Sequence, residues 1–68
     1  MRPTKTDKLR EARVSHAFIL ASPGNPISVL DISKVMNEGR RLIDAGADNA
    51  TLNAAVLAMM RQLSKETA

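Results

Sequence analysis

One histidine, seven carboxylates and ten basic residues are the groups with which this chain could do chemistry. Histidine is the usual side chain for proton transfer at neutral pH, but catalysis by His16 would need a nucleophile or an orienting acid beside it. Its neighbours Ala17 and Phe18 supply neither, so His16 reads as a packed or interface residue. Asp31 and Asp48 stand where helix caps are wanted, and Glu38 and Asp44 fall on a solvated polar face. Gly24 and Gly46 have turn roles rather than forming a phosphate-binding loop. There is no cysteine, which removes disulfides and thiolate metal sites, and a single histidine gives no histidine-based metal cluster. The expectation is therefore no enzyme, with no catalytic, cofactor or metal residues and no small-molecule substrate.

The basic residues carry the more promising chemistry. Arg2, Lys5, Lys8, Arg10 and Arg13 crowd the first 13 positions against only Asp7 and Glu11, and they account for the whole net charge of +3. Cations on a loose segment neutralise phosphates and give salt-dependent, largely sequence-independent binding to nucleic acid. Arg40 and Arg41 could extend such a surface. Phe18 is the one aromatic residue available for base stacking, so double-stranded DNA is a better candidate than a single strand or RNA.

These side chains must be positioned by helices. Ser28 followed by Asp31 fits a capping box, with Pro26 holding the residue before it extended, so a helix is expected over 29–45. Val29, Ile32, Val35, Met36, Gly39, Leu42 and Ile43 then share one stripe, and Ser33, Lys34, Asn37, Glu38, Arg41 and Asp44 cover the other side. Gly46 supplies the stop. Asp48 caps a second helix over 49–64, whose Leu52, Ala55, Val56, Met59, Met60 and Leu63 form one face, while Ala50, Ala54, Leu57 and Ala58 form another. A helix that is apolar or small on two sides wants two partners, either a further helix or a second chain. Gly39, inside the apolar stripe, marks either a close crossing that the alanine-rich last helix could fill or a tolerated glycine that bends or weakens the helix.

An N-terminal helix over 7–21 is expected ahead of the hairpin, with Leu9, Ala12, His16, Ile19 and Leu20 on one side and Val14, Phe18 and Ala21 on the other. The alternative is a short strand within 14–20, since that run holds Val, Phe and Ile before the turn-rich Ser22 to Pro26. The fold class is thus all-α, two to three short amphipathic helices forming a dimeric bundle. Residues 1–6 are expected to be a flexible basic arm, 7–64 a single small helical domain and 65–68 a frayed end.

Sixty-eight residues bury a limited core, and with no disulfide or metal the remaining route to extra stability is self-association. Gly39, Ala54, Leu57, Ala58 and Met60 are the candidate dimer or interaction residues, Met60 because it lies at the edge of its stripe. The longest apolar run, Ala17 to Ala21, is far short of a membrane span, and no secretory leader is read at the N-terminus. The expectation is a cytoplasmic regulatory or adaptor protein, homodimeric and binding an unidentified protein partner. The rival is a small DNA-binding regulator that uses the basic arm and a dimeric helical core. A helix-turn-helix reader fits poorly, because its second helix must expose a polar face to base edges and here it is the more apolar one.

Overall fold

Both hairpin helices start on their expected caps. Ser28 is extended (φ −72°, ψ 163°), and its hydroxyl accepts the Asp31 amide at 3.2 Å. The Asp31 carboxylate stands 3.6 Å from Lys34 Nζ rather than completing the box. Asp48 accepts the Thr51 amide at 2.8 Å. Between the two helices Gly46 takes φ +95°, a left-handed value that glycine adopts without steric penalty. The Gly46 and Ala47 amides then donate to the carbonyls of Ile43 and Leu42, closing the helix end as a Schellman turn.

The computed structural model describes residues 5–67, with side chains from Asp7 to Glu66. Its elements are α1 (Lys5–Ala21), α2 (Val29–Asp44) and α3 (Asn49–Thr67), and no strand occurs among the described residues. The strand alternative for 14–20 is thereby replaced by helix: α1 runs unbroken to Ala21, where Asn25 Nδ2 donates to the Ala21 carbonyl at 2.9 Å. Two boundaries move outward. Helix begins at Lys5 inside the expected arm and continues to Thr67 through the end expected to fray.

Long-range polar contacts fix how the helices run. Arg10 meets Asp44 and Glu11 meets Arg40, so α1 and α2 are antiparallel. Arg13 reaches Asn49 and the Ala47 carbonyl at the start of α3, and the three helices alternate up, down, up. The core steps along them together: Val14, Ala17 and Ala21 from α1, Gly39 and Val35 from α2, and Leu52, Val56 and Met60 from α3. Phe18, Ile27, Leu42, Ile43, Leu57, Met59 and Leu63 pack partly buried around this centre.

The two-sided character of α3 is met by α1, which covers one of the sides that a hairpin alone would leave bare. That arrangement corrects three expectations. Met60, placed at the stripe edge, is fully enclosed, because α1 lies against the Leu52, Val56 and Met60 row. Gly39 is a close crossing, but its nearest neighbour is α1: a methyl added there would stand 3.1 and 3.3 Å from the two Val14 methyls, and 3.7 Å from Leu52. Val29 is exposed rather than part of the buried stripe of α2, since it lies in the first turn, beyond the level at which α1 ends.

Size decides which face of α1 turns inward. At Gly39 the Val14 side chain takes the space a further side chain would fill, and Val14 with Ala17 and Ala21 presents a row of small buried side chains. Leu9 or Ile19 in those places would overpack the seam. Leu9, Ile19 and Leu20 are left pointing away from the bundle, whereas Phe18 packs partly buried at the edge of the core.

Candidate interaction surface

Leu9, Ile19 and Leu20 are 63, 65 and 56% exposed, and Ala12 and His16 lie exposed between them. All five occupy one arc of α1, opposite Val14, Ala17 and Ala21, because steps of three and four residues return to the same side of a helix. Beyond the end of α1, Val29 and Leu30 in the first turn of α2 are 79 and 78% exposed. Exposed leucines and isoleucines are ordinary singly, but a row of them on one face is a candidate interaction surface. At the N-terminal end of this row, Leu9, Ile43, Arg10, Arg13 and Asp44 line an open cleft of about 170 Å³.

The cleft rim and the flanks of α1 are held by ion pairs. Arg10 Nη1 lies 3.1 Å from both Asp44 oxygens, and Arg10 Nη2 3.5 Å from Asp7. The Arg40 fork donates to Glu11 at 2.6 and 3.0 Å, and its third nitrogen donates to Asn37 at 2.8 Å. The bond from Arg40 holds the Glu11 carboxyl below its ordinary value, and Glu11 in turn raises Arg40. Arg41 forks onto Glu38 one turn back, lowering Glu38 and raising Arg41 by the same hydrogen bond. Arg13 donates Nε to Asn49 at 2.7 Å and Nη2 to the Ala47 carbonyl at 2.8 Å. Asp48 is lowered by the backbone amide of Thr51 that it caps.

These contacts redistribute the residues expected to meet nucleic acid. Arg2 lies outside the described residues, and Lys5 sits in the first turn of α1. Lys8 is exposed, whereas Arg10, Arg40 and Arg41 each face a carboxylate and Arg13 faces neutral oxygens. The positive field that would draw a phosphate is cancelled locally wherever a carboxylate sits within a few ångströms. Of the residues expected at an interface, Ala54 and Ala58 are exposed, Leu57 is half-buried against the core, and Gly39 and Met60 are buried inside the chain. Sequence reasoning grouped Leu9, Ala12, His16, Ile19 and Leu20 on one side of the first helix without naming them as a site. The available signal was that both sides of this helix are apolar, so one of them must remain outside.

Among the described residues no group of three histidine, cysteine, aspartate or glutamate side chains could hold a metal ion, and no helix is long and apolar enough to cross a membrane. No family model, curated protein or solved structure matches this chain.

Proposed function

We propose that this chain is a non-catalytic interaction protein, acting in the cytoplasm, which presents the outward face of α1 to a protein partner. The observation that supports this reading is the row of Leu9, Ile19 and Leu20 on one exposed arc. Together these three side chains expose apolar surface on the order of 300 Å², within the range of the largest patch a typical monomer leaves in water. The face is built from a regular helix, so its spacing suits an amphipathic helix laid against it, with anchors repeating every three or four residues. The shallow cleft beside Leu9 would receive one apolar side chain of the partner, with Arg10, Arg13 and Asp44 at its rim.

The test compares wild type with a Leu9→Ser, Ile19→Ser, Leu20→Ser variant as immobilised baits in cell extract. Proteins retained by wild type are then purified and their affinities for both forms measured. The substituted residues are exposed, so far-UV circular dichroism should show an unchanged fold. Partners lost at least tenfold by the variant support the reading; equal affinities for both forms overturn it. A random-sequence duplex, measured alongside at low and high salt, covers the DNA-binding alternative. A complex that dissolves as salt rises and survives the triple substitution would move the function to the basic N-terminal segment.

A further inference from the structure

We draw no further inference here: the strongest candidate, the exposed apolar row of Leu9, Ile19 and Leu20 on the outward face of α1 with the open cleft beside Leu9, belongs to the surface already described, and nothing in the structure shows what covers it.

Discussion

Gly39 lies where Val14 of α1 packs against α2, and replacing it tests that packing. Alanine there gains about 1 kcal/mol in helix propensity over glycine. Against this, the new methyl would stand 3.1 and 3.3 Å from the Val14 methyls, inside the ~3.5–4.0 Å of a favourable carbon contact. Val14 cannot turn away freely, because a β-branched side chain in a helix has one strongly preferred rotamer and leaving it costs about 0.5–1.5 kcal/mol. The two effects are of similar size, so Gly39→Ala should fall within about 1 kcal/mol of wild type. Val14→Ala removes two buried methyls and should cost about 1–3 kcal/mol. In that background the alanine at 39 has room, and the same Gly39→Ala change should stabilise by 1 kcal/mol or more, a coupling of about 1 kcal/mol between the two positions. Gly39→Leu places three further carbons in the seam and should destabilise by about 1–3 kcal/mol despite its better propensity. The assay is urea unfolding followed by circular dichroism at one fixed protein concentration, with m-values compared to confirm a common transition. If Gly39→Ala stabilises equally with Val14 and with Ala at position 14, then Val14 is not seated over Gly39 and the crossing is wrong.

Other perturbations separate the core from the caps and the ion pairs. Met60 is enclosed, so Met60→Ala should cost about 2–5 kcal/mol in the same urea assay, whereas Ala58→Ser on the exposed side should be near neutral. Ser28→Ala removes the acceptor for the Asp31 amide and should cost about 1 kcal/mol, a fall of roughly 4–8 °C in the midpoint of thermal unfolding. The Glu11 carboxyl is lowered in the folded chain by Arg40, so its contribution is present above the ordinary value of 4.5 and is lost as pH falls through the folded value. Glu11→Gln should flatten that part of the acid limb of a stability-against-pH curve while leaving its neutral plateau nearly level, because the pair is exposed and screened. An acid limb identical to wild type would remove Glu11 as a contributor.

What the sequence determined by itself was local chemistry: the two hairpin helices, their starts and the turn between them, while the first helix stood beside a strand alternative and its start was read two residues late. Ser28, Asp48 and Gly46 act on backbone groups within three to five residues, and the stripe of α2 is legible because its polar and apolar sides are distinct. Tertiary structure decided which face of α1 is buried. The first helix is apolar on both sides, so periodicity alone could not choose, and the face that turns inward is the one whose Val14 seats against Gly39. The same packing hid Met60 and paired two of the expected basic residues across helices, since the carboxylates that meet Arg10 and Arg40 lie 34 and 29 residues away in the chain. Neighbours that distant become adjacent only when the helices are assembled, and no local pattern encodes which of them will meet.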